Sequence, residues 1–304
     1  MGTEIYDDGA IHRAMLADRV RNQAFWQAIR ASVKPGDIVV DVGAGTGILS
    51  AWAARAGARR VYAIERASVA HQARLLLHTA GLDDRVHLIQ ADVRNVRIPE
   101  QADVIVSEWL GTFGVDENLL PILLAARDRW LKPDGRLLPA VVTAWLAPVE
   151  VDLAAAVVRG HCALSTSQVG WFHTGLPLGS LLAAGKPMWT TDVRTIPAEA
   201  ARLPFRGSLR LVVERPGNFT GLTAWFEADF GNGISLNNAP GAPETHWGQL
   251  VFPLHEPIDV RPGDALTVEF LCIPSGPGYC HYAWSIWTAL SGWQHCDTRE
   301  VFSS

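Results

Sequence analysis

The chain has 304 residues, of which 48% are hydrophobic and 19% are charged, and it carries a net charge of −5 at pH 7. This balance excludes a disordered protein and fits two packed globular domains. A mildly acidic chain has no basic surface for a phosphate backbone, so we expect no nucleic-acid partner, whereas a cationic substrate is compatible with the charge.

The cysteines and the amino terminus bear on metal binding and compartment. The four cysteines, Cys162, Cys272, Cys280 and Cys296, form no CxxC pair and have no zinc-ligand spacing. This predicts reduced, structural thiols and no metal site. The first residues are acidic where a signal sequence is basic and apolar, and no apolar run reaches membrane-spanning length. We therefore expect a cytoplasmic protein without a membrane partner.

The predicted elements of the first half alternate between helix and strand. From residue 8 to about 32 apolar residues recur at helical spacing, which indicates one helix or a broken pair. The elements that follow are strand 37–42, helix 47–56, strand 60–64, helix 67–79, strand 86–89, strand 104–106 and helix 117–130, which stops before a Pro-Asp-Gly turn. This alternation with short connections predicts a parallel sheet flanked by helices.

The pattern changes beyond about residue 148. Strands are predicted at 209–214, 222–230, 250–254, 266–273 and 282–290, separated by Pro, Gly and Asn turns, which favours an antiparallel sheet or barrel. The segment 154–203 fits neither pattern and is interpreted as a mostly helical insertion. The predicted organisation is an amino-terminal helical region at 1–34, an α/β domain at 35–148 and an antiparallel domain at 149–304.

A glycine-rich turn follows the first strand. Directly after Asp41, the glycines Gly43, Gly45 and Gly47 let the backbone approach a ligand beside the free N–H groups of a helix start. The third glycine of a dinucleotide fingerprint would fall on Ile48, which disfavours an NAD site. Glu65 ends the second strand, where a carboxylate can accept hydrogen bonds from both ribose hydroxyls. Alone, the turn and Glu65 are equally compatible with structural roles.

The GxGxG turn resembles the S-adenosylmethionine loop of class I methyltransferases. The resemblance implies a Rossmann-like sheet with S-adenosylmethionine as cofactor, released as S-adenosylhomocysteine after transfer. It also implies that Asp92 and Val93, which follow the third strand, border the adenine.

Two glutamates lie nine positions apart in the loop after the fourth strand, Glu108 and Glu117. The segment 107–117 resembles the double-glutamate hairpin of the protein arginine methyltransferases, and 244–247 is similar to the Thr-His-Trp loop of that family. Residues 11–21 are similar to its cofactor-covering helix. The resemblance spans nearly the whole chain apart from the insertion. It implies an α/β, class I methyltransferase fold followed by a β-barrel, with a helical dimerisation arm at about 154–203 and a homodimer.

A guanidinium explains why two carboxylates would be needed. It arrives charged, and its removal from water is prohibitive unless carboxylates pair with it. Each carboxylate at about 4 Å contributes on the order of 4 kcal/mol at an effective dielectric of about 20. One glutamate can balance the charge, and the second can orient the planar fork and draw charge away from the nitrogen that attacks.

The resemblance implies roles for further residues. His246 paired with Asp18 would relay a proton, and Arg21 would hold the donor's carboxylate and brace Glu108. His12 and Met15 would cover the cofactor. Met15 would also contact the substrate, and Trp247 would form a wall of the substrate pocket. Taken singly these residues have ordinary interpretations: Glu117 as the complement of a helix dipole, His246 as a structural histidine, Asp18 and Arg21 as a surface ion pair, and Met15 as core.

The sequence also departs from the family. Tyr6 is the only remnant of its tyrosine-rich first helix, and Thr112, Gly114 and Val115 replace bulkier residues of the hairpin. The short segment before residue 11 and a composition typical of bacterial proteins together favour a small acceptor. We therefore expect free L-arginine or a small guanidine as acceptor in preference to an arginine in a protein or peptide. A methyltransferase of another acceptor and a non-catalytic regulator with this fold are the remaining alternatives. The number of methyl groups transferred stays open.

Overall fold

A computed structural model describes residues 9–152, 172–276 and 278–301. Its amino-terminal region is a broken pair of helices, α1 (Gly9–Ala17) and α2 (Arg19–Ser32). The break falls at Asp18, whose side chain caps α2 by accepting a hydrogen bond from the Arg21 N–H at 2.9 Å. α2 packs on the α/β domain through α3 and on the second domain, where the rings of Phe25 and Phe230 lie 4.9 Å apart.

The predicted parallel sheet is confirmed. It contains β1 (Ile38–Val42), β2 (Arg60–Glu65), β3 (Val86–Gln90), β4 (Ala102–Val106) and β5 (Leu131–Leu138), with helices α3 (Ile48–Arg55), α4 (Ala70–Thr79) and α5 (Leu120–Trp130). The strand order is β3-β2-β1-β4-β5 and every pair is parallel. The chain builds outward from β1 in one direction and then in the other, so a topological switch point lies between β1 and β4.

The domain boundary lies earlier than predicted. β5 pairs in parallel with β4, whereas β6 (Val141–Val149) pairs with strands of the second domain. The α/β domain therefore ends near residue 139, and the boundary predicted at 148 was wrong. Pro133, Asp134 and Gly135 suggested a turn, but they lie inside β5, whose register shift against β4 accommodates them.

The start of α5 also differs from the prediction. The helix begins at Leu120 and not at Glu117. Asn118 has a left-handed backbone, with φ of 51°, and the carbonyl of Glu117 accepts a hydrogen bond from the N–H of Gly278. The left-handed backbone of Asn118 is incompatible with a helix through this point, so Glu117 lies in a turn ahead of α5, where its carbonyl bonds to the barrel.

The second domain consists of two antiparallel sheets that close into a barrel. Their strands are β7 (Phe172–Thr174), β8 (Lys186–Asp192), β9 (Phe205–Val212), β10 (Gly217–Asp229), β11 (Ser235–Asn237), β12 (Gln249–Val260), β13 (Ala265–Gly276), β14 (Tyr279–Thr288) and β15 (Gly292–Asp297), followed by α6 (Thr298–Val301). One sheet has the order β7-β12-β10-β6-β8, with β11 beside β10, and the other has the order β15-β14-β13-β9. β8 lies beside β9 and β12 beside β15, so the two sheets contact each other on both sides.

The predicted helical insertion at 154–203 is wrong for its described part. Residues 172–203 form β7, β8 and two short 3₁₀ turns, and β8 pairs with β6 as a barrel strand. The rest of the predicted arm, 153–171, lies outside the described residues, as does Cys162.

Two further observations concern the predicted compartment and thiols. In the described part of the chain no helix is both long and apolar enough to cross a membrane. Cys272, Cys280 and Cys296 are free thiols, two of them buried. The cytoplasmic location stays a prediction.

Candidate active site

A cavity of about 340 Å³ opens at the carboxyl ends of β1 and β4, where the strand order of the parallel sheet reverses. Ligands of open α/β sheets bind at this point. At its base the hydroxyl of Ser107 donates to the carbonyl of Val42 at 2.7 Å, which ties the two strand ends together. Most residues predicted from sequence line the cavity: His12, Met15, Arg21, Gly43, Gly45, Glu65, Asp92, Val93, Glu108, Glu117, His246 and Trp247.

The glycine turn needs glycine at three positions for its backbone. Gly43, Gly45 and Gly47 have φ of 74°, 54° and 81°, a region that other residues rarely adopt. The N–H of Gly45 donates to the carboxylate of Glu65 at 2.8 Å, and the N–H of Ala67 donates to its other oxygen at 2.7 Å. Glu65 therefore fixes the turn from the neighbouring strand, and as a cavity-lining residue it keeps further lone pairs on both oxygens.

Three predicted residues are not on the cavity wall: Asp41, Gly47 and Asp18. Gly47 is the N-cap residue of α3, and a Cβ at this position would contact Ala73 and Leu77 of α4. Gly47 therefore shapes the turn through its left-handed backbone, and its contact with a ligand stays a prediction. Asp18 acts through another residue, since it caps α2 and holds His246.

Asp41 lies fully buried beneath the glycine turn. Its carboxylate accepts a hydrogen bond from the Ser50 hydroxyl at 2.6 Å, and its other oxygen has no partner among the described residues. Burial raises the pKa of Asp41 to about 7, and the negative charge of Glu65 adds to this shift against the hydrogen bond from Ser50. Asp41 therefore supports the turn from below, and its predicted contact with a ligand stays a prediction.

We expect Asp41→Asn to remove a pH dependence of stability. An aspartate has an ordinary pKa of 3.8, so between that value and about 7 the folded protein binds more protons at Asp41 than the unfolded chain. The free energy of unfolding of the wild type must therefore fall as pH rises through this window. Relative to wild type, the variant should gain on the order of 2 to 4 kcal/mol between about pH 4 and pH 8. Thermal unfolding of both proteins across this range measures the difference, and parallel curves would contradict the assignment.

The buried guanidinium of Arg21 lies at the cavity wall, where the carboxylate of S-adenosylmethionine would bind. Its guanidinium is 4% exposed and donates to Glu108 at 3.2 Å and to Asn22 at 2.8 Å. Its Nε is buried and has no hydrogen-bond partner in the described part of the chain. A buried guanidinium at a cavity wall whose Nε–H has no partner among the described residues fits the carboxylate of an amino-acid ligand. The amino-acid end of S-adenosylmethionine therefore fits Arg21, and its ribose fits Glu65.

The remaining cofactor residues lie around this end of the cavity. His12 covers the glycine turn, where a Cβ on Gly45 would lie 3.6 Å from its ring. Met15 is half-buried on the cavity wall and is not part of the core. Asp92 accepts hydrogen bonds from the Arg94 side chain at 2.6 and 2.9 Å, and this lowers the pKa of Asp92 to about 2. Val93 is buried beside it, and its contact with the adenine stays a prediction.

Asp18 and His246 meet although they are 228 residues apart. One Asp18 oxygen lies 2.8 Å from Nδ1 of His246 and 2.9 Å from the His246 N–H. Burial would raise the pKa of Asp18, but the hydrogen bonds from His246 and from the Arg21 N–H outweigh it and lower the pKa. An ionised Asp18 favours a proton on Nδ1, which leaves Nε2 of His246 as an acceptor.

The two glutamates are carried by a tight hairpin whose tip enters the barrel. Gly111 and Gly114 exchange backbone hydrogen bonds at 3.1 and 3.2 Å, and Phe113 between them is fully buried, with its ring 5.6 Å from that of Phe270. Glu108 pairs with Arg21 and also accepts from the Leu110 N–H at 3.1 Å. Both glutamates line the same cavity.

Sequence reasoning missed Asn238, which joins this hairpin to the loop that carries His246 and Trp247. Its amide is buried and donates to the carbonyls of Thr112 at 2.9 Å and Gly248 at 2.6 Å. The indole N–H of Trp247 donates to the carbonyl of Leu110 at 3.0 Å, a second link between the two loops. An asparagine in a turn-rich segment carries no signal that distinguishes it from a turn residue.

The parallel sheet, the glycine turn braced by Glu65 and the cavity at the switch point define a class I, S-adenosylmethionine-dependent methyltransferase. Residues 4–138 match the family model described as PRMT5 arginine-N-methyltransferase, and residues 179–292 match the arginine methyltransferase oligomerization subdomain. The chain belongs to the protein arginine methyltransferase family.

Individual relatives agree with this assignment. The chain is 31% identical over 292 residues to protein arginine N-methyltransferase 6 of Danio rerio, covering 89% of this chain and 83% of that protein. It is 32% identical over 308 residues to protein arginine N-methyltransferase PRMT10 of Oryza sativa subsp. japonica, covering 86% and 80%. The solved structure of Arabidopsis thaliana protein arginine methyltransferase 10 superposes with a TM-score of 0.84 at 27% identity, covering 97% of this chain and 99% of that one. The Trypanosoma brucei PRMT1 enzyme-prozyme complex with AdoHcy gives 0.86 at 25% identity, covering 96% and 98%.

Proposed function

We propose that the protein transfers methyl groups from S-adenosylmethionine to a guanidino nitrogen of arginine within a protein or peptide. The observation that supports this most directly is the placement of Glu108 and Glu117 on the wall of one cavity, which also contains the glycine turn and Glu65. Two carboxylates at such a site suit a planar cation, whereas a neutral oxygen or carbon acceptor does not need them.

The relatives favour a peptidyl acceptor over a small one. Those compared above are named protein arginine methyltransferases, and the alignment covers 83% of the Danio rerio protein. The preference for free arginine depended on the front region and on composition, and neither describes the cavity. The comparisons therefore support the alternative, an arginine held in a polypeptide.

Each group of residues has a distinct task in this reaction. S-adenosylmethionine supplies an electrophilic methyl group when it is bound. Glu108 and Glu117 hold the guanidinium fork, Glu108 being itself fixed by Arg21 at 3.2 Å, so that one nitrogen faces the donor. Methyl transfer leaves an extra proton on the methylated guanidino nitrogen. Nε2 of His246 accepts this proton and passes it to water, while Asp18 stabilises the imidazolium.

The acceptor can be tested directly. Product mass spectrometry would follow methylation of free L-arginine, an arginine-glycine peptide and a matched lysine-glycine peptide. We expect methylation of the arginine peptide alone. The mass increase of the product gives the number of methyl groups added. Methylation of free arginine without methylation of the peptide would reject the peptidyl acceptor, and methylation of lysine alone would reject the guanidinium site.

We also infer that the protein forms a homodimer. The support is the match of residues 179–292 to an oligomerization subdomain, together with the heterotetrameric assembly named for the Trypanosoma brucei relative. Light scattering should then give twice the 33.1 kDa mass of the chain. A monomer at micromolar concentration would reject the inference.

A further inference from the structure

The second limb of the glutamate hairpin, residues 115–118, lies against the barrel at the β13–β14 turn. The carbonyl of Val115 accepts from the Cys280 thiol at 3.9 Å, and the carbonyl of Glu117 accepts from the N–H of Gly278 at 2.8 Å. The side-chain amide of Asn118 donates to the carbonyl of Gly276 at 2.8 Å. Contacts on both sides of Glu117 therefore come from the barrel.

Asp116 adds a buried side-chain link in the same limb. One of its oxygens accepts from the Phe113 N–H at 2.7 Å, and the other accepts from the hydroxyl of Tyr282 at 3.4 Å. Burial raises the pKa of Tyr282 well above its ordinary value, and the charge of Asp116 adds to the shift, so the hydroxyl stays protonated and donates. Gly111 leaves room for this carboxylate, because a Cβ there would lie 2.4 Å from it.

The two glutamates therefore have different immediate supports, although the barrel loops of Asn238 and Trp247 also contact the first limb. Glu108 is fixed by Arg21 of α2 and by the N–H of Leu110 in its own loop. Glu117 follows a limb that is bonded to β14 and to the turn before it, and Gly278 of that turn lines the cavity beside it. Their relative position consequently depends on how the barrel sits against the α/β domain.

We propose that Asn118, Asp116 and Tyr282 are positioning residues for Glu117, through which the barrel sets the second carboxylate against the guanidinium. The inference rests on the proposed arginine methylation. None of the three residues lines the cavity, so they act through the backbone on either side of Glu117. A displacement of about 1 Å at a reacting group can lower the rate on the order of 100-fold, which is ample for an indirect effect to be measured.

The sharpest variant is Asn118→Gly. Asn118 has φ of 51°, and glycine tolerates this backbone, so the substitution removes the amide donor to Gly276 without adding strain. Asn232→Gly is the matched control, because Asn232 has φ of 56° in the exposed turn between β10 and β11, away from the hairpin. We expect Asn118→Gly to lower kcat for an arginine peptide roughly 10- to 100-fold. Asn232→Gly should match wild type, as should the affinity of both variants for S-adenosylhomocysteine.

A double-mutant cycle with Glu117→Gln separates positioning from general damage. If Asn118 acts through Glu117, Asn118→Gly should cost less than about two-fold in the Glu117→Gln background. The cycle is measured on kcat/KM and on the dissociation constant of the arginine peptide from the S-adenosylhomocysteine complex, so it can be read even if turnover of Glu117→Gln is too slow to detect. An equal loss in both backgrounds, or no loss in wild type, would overturn the proposal.

Two results keep this proposal distinct from the proposed function. If Glu117→Gln itself retains full turnover, the guanidinium site fails and with it the present inference. If Asn118→Gly proves unfolded or loses S-adenosylhomocysteine affinity, the same cycle is run with Tyr282→Phe, which removes only the hydroxyl on Asp116. That variant should lower kcat in the wild-type background and leave Glu117→Gln unchanged, and the opposite pattern would reject the proposal.

Discussion

Replacement of Glu117 by glutamine should lower kcat/KM for an arginine peptide on the order of 100- to 1,000-fold, the loss typical of one missing electrostatic partner in a transition state. The substitution keeps the shape of the side chain and removes one negative charge from the cavity wall. A guanidinium then has a single carboxylate, and the nitrogen that attacks keeps less electron density. Glu108→Gln is a less specific test, because it would also release Arg21. Steady-state kinetics with the peptide measure the loss.

The control for this experiment is Glu269→Gln. Glu269 is exposed on β13, so the same change in net charge is made outside the cavity. It should leave kcat/KM at the wild-type value, and both variants should bind S-adenosylhomocysteine as the wild type does. Equal activity of Glu117→Gln and Glu269→Gln would show that the second carboxylate has no role in catalysis.

The sequence could predict those parts of the site whose residues are close in the chain and lie on adjacent strands. A short spacing ties Gly43, Gly45 and Glu65 to the ends of adjacent parallel strands, so their meeting follows from the sheet itself. Asp18 and His246 are 228 residues apart, and no periodicity predicts that contact. Only the resemblance to a family brought them together, and the structure then placed them 2.8 Å apart.

What could not be predicted depends on tertiary contacts that override local preference. Glu117 lies at the start of a helical pattern, yet the barrel turn binds its carbonyl and Asn118 takes a left-handed backbone, so the helix starts later. Asp41 has the type and place of a ligand contact, but its depth below the turn emerges only when the strands are packed. Asn238 holds two loops through carbonyls up to 126 residues away, and backbone acceptors leave no trace in a sequence.

Glu65→Gln should weaken binding of S-adenosylhomocysteine on the order of 100-fold, since hydrogen bonds to a charged group are each worth about 1.5 to 3 kcal/mol. The carboxylate now accepts from the N–H groups of Gly45 and Ala67 at 2.8 and 2.7 Å. In either orientation a glutamine amide turns its NH₂ toward one of these donors, and it can accept from fewer ribose hydroxyls. kcat at saturating donor should stay within about five-fold of wild type, because the substitution removes binding made equally before and during transfer.

The matched control for this prediction is Glu100→Gln. Glu100 is also a carboxylate of the α/β domain that accepts hydrogen bonds, from Arg59 at 2.6 Å and Tyr62 at 2.8 Å, but it lies outside the cavity. Its substitution removes charge-assisted hydrogen bonds from the same domain without touching the glycine turn, so calorimetric titration should give wild-type affinity. If Glu65→Gln bound S-adenosylhomocysteine as tightly as Glu100→Gln does, Glu65 would serve the fold of the turn alone, and the ribose would have to be held by other residues of the cavity.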